Sequence, residues 1–408
     1  MTTIIKDNPV ANYIVMVVVS LMAIGTVFVF SAGANISQDL DLQKFYNYPA
    51  LRQILFFPLA CLIMFAVSCF DYRRFSLAPT SSVLPPCLLS KTERGEAGED
   101  KRGWMRSPTT YLLVLSVVLL ILVLLPQFGM EINRARRWFR IPAGPITVSF
   151  QPSELAKWAI IVFLAGVCDR FATELKLYWK RFVPICFVVG LVAGLIVIED
   201  FGTAAFISLL AFLMLIIAGV KWWHILTPLP LAAAAFLAVL IRSPSRMQRI
   251  IAFLHPEKLT DSAAYQANQS LVALGSGGLF GKGLGRGICK YGHLPEDTTD
   301  FIFAIIGEEL GFIGDAVVIG LFIAFVCLGI LVILRCRDRF GQLLAGGIVL
   351  TIALQAALNI GVVTVVLPTK GIPLPFVSAG GTSMLLSSAA VGVLLNIAKQ
   401  SRTTSNEL

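Results

Sequence analysis

Five carboxylates stand in or beside the most apolar stretches of this chain: Glu154, Asp200, Asp300, Glu308 and Glu309. Acid there is costly, and it persists where it moves protons, holds ions or meets a partner charge. Asp300 opens the segment DFIFAIIGEELG, with Glu308 and Glu309 about two helical turns deeper. Asp200, in IEDFGTA, reads equally as an acid facing a ligand or as the cap of a helix starting near Thr203. Glu154 opens a helix, where its charge also suits the positive dipole end, and Lys157 follows it.

Cations form the other half of the pattern. Arg134, Arg136, Arg137 and Arg140 lie between Gln127 and Ser153, and Arg242, Arg246, Arg249, Lys258, Lys282, Arg286 and Lys290 lie between Arg242 and Asp300. A guanidinium fork matches phosphate oxygens in pairs; the alternative is pairing with Glu131, Glu154, Glu257 or lipid headgroups. The glycine-rich GSGGLFGKGLGRG could cradle phosphate with backbone amides, but Gly283 follows Lys282 where a nucleotide loop needs Ser or Thr, and Ser276 stands where it needs Gly. A tight re-entrant turn fits better, leaving Lys282 and Arg286 free to meet an anion. His224, His255 and His293 lack metal-ligand spacing, so no protein-encoded zinc site is expected.

The elements that must position these groups follow from composition. Of the 408 residues 57% are hydrophobic and 14% charged, with a net charge of +9. That excludes a soluble domain and implies an all-α polytopic membrane protein, because a lipid-exposed backbone must close its own hydrogen bonds. Ten apolar runs are expected to form about ten transmembrane helices: Val10–Phe30, Ile54–Phe70, Tyr111–Leu125, Leu155–Val167, Phe182–Ile198, Ala204–Val220, Ile225–Ile241, Leu310–Leu334, Leu343–Leu367 and Met384–Ile397. The fourth and tenth are short for a bilayer, so their polar-flanked starts should belong to the spans.

Lys and Arg in the turns after Arg73, Lys176 and Arg335 place that side, and both termini, in the cytoplasm. The first run is followed by a signal-cleavage-like Ala32-Gly33-Ala34, but it exceeds the usual core of about 7–15 residues and is expected to stay. Outside lie 31–52, 127–153, 368–381 and a large polar loop, 242–300, between helices 7 and 8. The mixed-charge stretch 79–108 reads as a flexible cytoplasmic insertion in a single membrane domain covering 1–408. Only Cys289 falls in an outer loop, so no outer-face disulfide is expected. Positive charge outside opposes the topology rule and implies an anionic, membrane-held substrate.

Six motifs in order carry a family resemblance: RARRWFRI from Arg134, QPSELAK from Gln151, EDFGTA from Glu199, YQANQSLVALGSGGLFGKGLG from Tyr265, LPEDTTDFIFAIIGEELGFIG from Leu294 and PTKGIPLPFVSAGGTS from Pro368. With them the chain resembles the SEDS (FtsW/RodA/SpoVE) peptidoglycan glycosyltransferases; Thr369-Lys370-Gly371 and Lys290 make it look closer to FtsW than to RodA. The resemblance implies polymerisation of lipid II, an undecaprenyl-pyrophosphate-linked disaccharide peptide, at the outer face of the cytoplasmic (inner) membrane. It also implies a class B penicillin-binding protein transpeptidase and divisome proteins as partners, a divalent cation (Mg or Mn), and no nucleic acid.

Carried over by motif, the expected substrate-binding residues are Arg136, Arg137, Gln151, Glu154, Lys157, Asp200, Tyr265, Gln266, Gln269, Lys282, Glu296, Lys370 and Ser378. The family's base is an Asp soon after the Pro of its FLxP segment. Here that stretch is FLHPEKLTDSAAYQ, which makes Asp261 the first candidate, Asp300 the second and Glu257 the third. Arg134 and Ala379 depart from the usual Gly and Tyr. Alternative readings are an elongation-type RodA-like polymerase, a catalytically weak scaffold and a lipid-linked precursor flippase.

Overall fold

The computed structural model describes residues 8–33, 49–77, 107–132, 135–143, 146–254, 262–291, 294–295 and 298–403. Glu257, Asp261 and Glu296 lie outside the described residues, as does nearly all of the insertion at 79–108.

A helix lies on every one of the expected apolar runs. They are α1 (Pro9–Gly33), α2 (Pro49–Ser68), α3 (Pro108–Leu124), α4 (Pro152–Arg170), α5 (Val183–Val197), α6 (Phe201–Ile217), the broken pair α7 (Trp222–Leu226) and α8 (Leu229–Ile241), then α11 (Ile302–Arg335), α12 (Arg339–Val363) and α13 (Gly381–Thr403). Among the described residues, six helical segments are long and apolar enough to cross a membrane: Pro9–Gly33, Tyr178–Val197, Trp222–Ile241, Ile302–Arg335, Arg339–Val363 and Gly381–Ser401. The chain is therefore a multi-pass membrane protein. The helices on the fourth and tenth runs start early, at Pro152 and Gly381, as expected from their short apolar cores. Local chemistry marks other starts: Pro108 sits in the first turn of α3 behind a Ser107 cap, and Asp338 caps α12 by accepting Gly341 N at 2.9 Å.

Two regions depart from expectation, one a sheet and the other helical where a loop was expected. Between α3 and α4, β1 (Met130–Ile132), β2 (Ala135–Ala143) and β3 (Ile146–Phe150) form an antiparallel sheet in the order β1-β2-β3. Lipid forbids open sheet edges, and this sheet lies in a connection between apolar helices where the constraint lapses. Within the long loop, α9 (Pro244–Leu254) and α10 (Ser262–Gly277) are helical. Ser270 Oγ ties α10 to Val363 O of α12 at 2.7 Å. In the bundle, α1 packs on α2 and α11, α13 on α2, and α12 on α11 and α4. Asn396 Nδ2 to Ser68 O at 3.0 Å and Asn8 Nδ2 to Ala398 O at 2.7 Å join the ends of those elements.

The glycine-rich segment is a re-entrant turn, and its partner is a broken helix. At Gly311 the backbone of α11 takes φ 70° and ψ −167°, conformations a Cβ would strain. The turn supplies what the break removes: Lys282 N donates to Glu308 O at 3.0 Å and Gly283 N to Glu309 O at 2.9 Å, while Phe312 N donates to Gly278 O at 2.9 Å. A Cβ on Gly281 would lie 2.2 Å from Glu309 O, so the two backbones could not meet there with a larger residue.

The deep acids close the same seam. Glu308, fully buried, accepts Lys282 Nζ at 2.7 Å and Ile288 N at 2.9 Å; Glu309, also fully buried, accepts Lys290 Nζ at 2.9 Å, Ser31 Oγ at 2.8 Å and Gly285 N at 2.9 Å. Lys282, expected to be free for an anion, is instead the partner of Glu308, because an unpaired carboxylate at that depth has no solvent to stabilise it. Removing one member of the Lys290–Glu309 pair should cost about 3–5 kcal/mol, since the other charge stays buried alone. Glu309→Leu is thus expected to lower the unfolding temperature of the purified protein in detergent, with Lys290→Met/Glu309→Leu recovering most of the loss. A double variant no better than the single would show that the pair is not what holds the turn.

Candidate active site

The first node forms at the start of α6. Asp200 caps that helix, accepting Thr203 N at 3.0 Å and Thr203 Oγ1 at 2.9 Å, so the cap reading holds. It also faces charge, with Arg137 Nη1 3.7 Å from Asp200 Oδ2. Its neighbour Glu199 docks the sheet: Glu199 Oε2 accepts Arg136 N at 2.8 Å, and the Glu199 carbonyl accepts Arg137 Nε at 2.8 Å. The stem of Lys370 lies across Gly202, where a Cβ would sit 2.3 Å from Lys370 Cε. A larger residue there would push the Lys370 stem aside. Burial holds the Lys370 ammonium below its ordinary range, and Asp200 opposes the shift.

The second node surrounds Asp300, at the entry to α11. Its carboxylate lies against Gly371, with Oδ2 2.7 Å from where a Cβ would stand. Its carbonyl accepts Asn359 Nδ2 at 2.8 Å, and the same nitrogen donates to Ile372 O at 2.7 Å. One turn earlier on α12, Gln355 Nε2 donates to Pro373 O at 3.0 Å. Ser378 Oγ donates to Thr299 O and accepts Leu374 N, and Ala379 N donates to Thr298 O at 2.9 Å. The loop at 368–380 is thereby pinned to α12 and to the lead into α11. Lys370 and Gly371 consequently bring the two nodes together, one against Asp200 and the next against Asp300.

Other expected residues take supporting places. Lys157, 2% exposed, donates to Glu154 Oε2 at 2.9 Å and to Gln355 Oε1 at 3.1 Å, so the Glu154–Lys157 pair braces the amide that holds Pro373. Ser378 likewise uses its hydroxyl inside the fold. Gln151 is half-buried just ahead of α4 and makes no side-chain cap. Tyr265 is exposed on α10, and Gln266 and Gln269 are half-buried beside it. Gln355 and Asn359 escaped sequence reasoning, although two amides spaced four apart in the apolar run LTIALQAALNIG share one helix face and could have marked it. Glu199 was passed over for its neighbour.

Chemically, the arrangement offers a carboxylate, Asp300, and a group of cations within one connected framework. Carboxylates take protons from hydroxyls, and cations stabilise phosphate leaving groups. Among the described residues no group of three His, Cys, Asp or Glu is gathered as a metal centre.

Residues 101–403 match the FtsW/RodA/SpoVE family, described as cell cycle protein. The chain is 36% identical over 390 residues to the "Probable peptidoglycan glycosyltransferase FtsW" of Coxiella burnetii, covering 95% of each. It is 35% identical to stage V sporulation protein E of Bacillus subtilis, covering 95% of this chain and 97% of that one. Among solved structures, a chain from a study of how a peptidoglycan synthase complex coordinates polymerization and crosslinking aligns with a TM-score of 0.69 at 24% identity, covering 95% and 97% of the two chains. The rod shape determining protein RodA of Thermus thermophilus aligns with a TM-score of 0.61 at 24% identity, covering 95% and 96%. A profile match over most of the chain and relatives aligned nearly end to end, on a fold shared with RodA, establish that the chain belongs to the FtsW/RodA/SpoVE family.

Proposed function

We propose that this protein is a peptidoglycan glycosyltransferase of the division type, polymerising lipid II at the outer face of the cytoplasmic membrane. The observation that carries the reading is the loop at 368–380, which sets Lys370 beside Asp200 and Gly371 beside Asp300. In the reaction a sugar hydroxyl of the acceptor attacks the anomeric carbon of the donor, a C–O bond forms, and the bond to the diphosphate breaks. A carboxylate takes the hydroxyl proton. The cations stabilise the charge that gathers on the departing diphosphate. Asp300 is the base candidate with described geometry; Asp261 keeps first place on the family motif, and Glu257 stands behind both.

The relatives' names support the activity, and the likeness to a synthase-complex chain supports a class B penicillin-binding protein as partner within a divisome. The deep acids support polymerisation over a transport pathway, because Glu308 and Glu309 are each tied to a lysine rather than open to a cargo. A divalent cation, Mg or Mn, belongs to the proposal on family grounds.

Purified protein given lipid II, with its transpeptidase partner and divalent metal, should yield glycan polymer resolved by gel. Removing a general base should lower the rate by about 10²–10⁴-fold. Loss on that scale in Asp261→Ala assigns the base to Asp261, and selective loss in Asp300→Ala moves it there. Absence of polymer from wild type under all conditions would refute the activity. A second expectation follows from Lys370. Its ammonium loses its proton at lower pH than a free lysine, so a step that needs the charge should fail early on the alkaline side. Lys370→Arg keeps its charge throughout that range. The alkaline limb of its polymerisation rate should therefore fall at higher pH than that of wild type, and coincident limbs would remove Lys370 from the reaction.

A further inference from the structure

The helix α9, sequence PSRMQRIIAFL, lies in a segment expected only as polar loop. Its charges are Arg246 and Arg249, one turn apart and so on one face. Half-buried Phe253, four residues after Arg249, shares that face, and Ala252 beside it is buried. Arg246 is placed by an aromatic ring, its Cζ 5.2 Å from the centroid of Phe201, the first residue of α6. That ring is itself fixed against Phe236 of α8 at 4.3 Å between centroids.

The surroundings of Arg246 are unusual in sign. Beyond burial, the influences on its guanidinium are Arg137 and Arg249, which repel it, and Asp200 and Glu199, which attract it. Lys370 meets the same Asp200. Both carboxylates already have work: Glu199 accepts the Arg136 amide and Asp200 caps α6. Four cations from three separate segments, Arg137 of β2, Arg246 and Arg249 of α9 and Lys370 of the loop, thus converge around two carboxylates, a surplus of two positive charges. By contrast Lys157, Lys282 and Lys290 each have a carboxylate within 2.9 Å. A diphosphate joined to carbon at both ends carries two negative charges and presents paired oxygens to a guanidinium fork.

We propose that Arg246 and Arg249 of α9, with Arg137, form a clamp for the diphosphate of a lipid-linked sugar at the entrance to α6. The identity of the ligand rests on the polymerase reading; the clamp itself rests on the convergence of charge. Arg246 is the fixed member, oriented by Phe201. Arg249 is exposed and meets the anion from the solvent side. Asp200 and Glu199 hold the cluster together before the anion arrives and keep it from binding monovalent anions strongly.

The test uses the full chain in detergent and measures binding of inorganic pyrophosphate and of a polyprenyl diphosphate, with polymerisation followed in parallel. Arg246→Gln and Arg249→Gln should each weaken diphosphate binding about tenfold, the scale of one lost charge-assisted contact. The double variant should lose more, and the wild-type affinity should fall with added salt. Lys221→Gln, exposed ahead of α7 and outside the cluster, should bind as wild type. Unfolding temperature separates binding loss from misfolding; Arg246→Lys and Arg249→Lys, which keep the charge but not the fork, should fall between wild type and Gln. If wild type polymerises lipid II and the Arg246→Gln/Arg249→Gln protein keeps its diphosphate affinity, the clamp is wrong and the polymerase stands. If wild type makes no polymer while the variants still lose diphosphate affinity, the clamp stands and the polymerase reading fails. Equal loss in Lys221→Gln would reduce the effect to net charge and overturn the clamp.

Discussion

One side-chain amide carries much of the site. Asn359 Nδ2 donates to Asp300 O and to Ile372 O, so a single nitrogen sets the distance between the entry of α11 and the loop that bears Lys370. Both neighbours are carbonyls, which fixes the amide's orientation, since only its NH2 can satisfy them. Its own oxygen is buried and has no hydrogen-bond partner among the described residues. An orphaned acceptor of that kind costs about 1–3 kcal/mol. The arrangement persists because Gln355, Lys157 and Glu154 hold the adjoining Pro373 from below and Ser378 holds the far end of the loop.

From this follows a division among the charges. In a bundle with little access to water, a charge that serves the fold finds a partner close by, and the three lysines of the interior do: Lys157 with Glu154, Lys282 with Glu308, Lys290 with Glu309, all within 2.9 Å. The cations at the entrance to α6 are held more loosely. Arg137 is 3.7 Å from Asp200 and 40% exposed at its side chain, and Arg246 rests on a ring rather than a carboxylate. Tight pairing marks structure here, and loose convergence marks a place where an anion can compete.

The sequence made the helices legible because apolar runs of bilayer length have few other uses, and even the early starts at Pro152 and Gly381 could be anticipated from the shortness of the runs behind them. The glycines announced a tight turn. What they could not announce was its partner, since Gly281 meets Glu309 O through a break at Gly311 that no periodicity reveals. Lys282 was misjudged for the same reason: its carboxylate lies 26 positions away, and local spacing carries no sign of it. The sheet from β1 to β3 was invisible because β1 and β3 are brief and β2 itself carries three arginines and Pro142, so that apolar alternation is weak. Asp200 was legible as a choice between cap and ligand contact, and the geometry makes it both.

That double role bears on how an anion would be met at this position. The entrance of a helix ordinarily draws negative charge through its free amides, but here Asp200 already occupies the Thr203 amide. An incoming diphosphate therefore does not find the Thr203 amide free. It depends on the side chains arrayed around that end, Arg137 from the sheet, Lys370 from the pinned loop and Arg246 from α9, each held by a different element. A site assembled this way is sensitive to how those elements sit relative to one another, so anything that moves the loop at 368–380 or α9 changes anion binding without touching the helix that anchors it. The brace through Gln355 and Asn359 then acts on the chemistry at a distance, by keeping Lys370 and Asp300 in register.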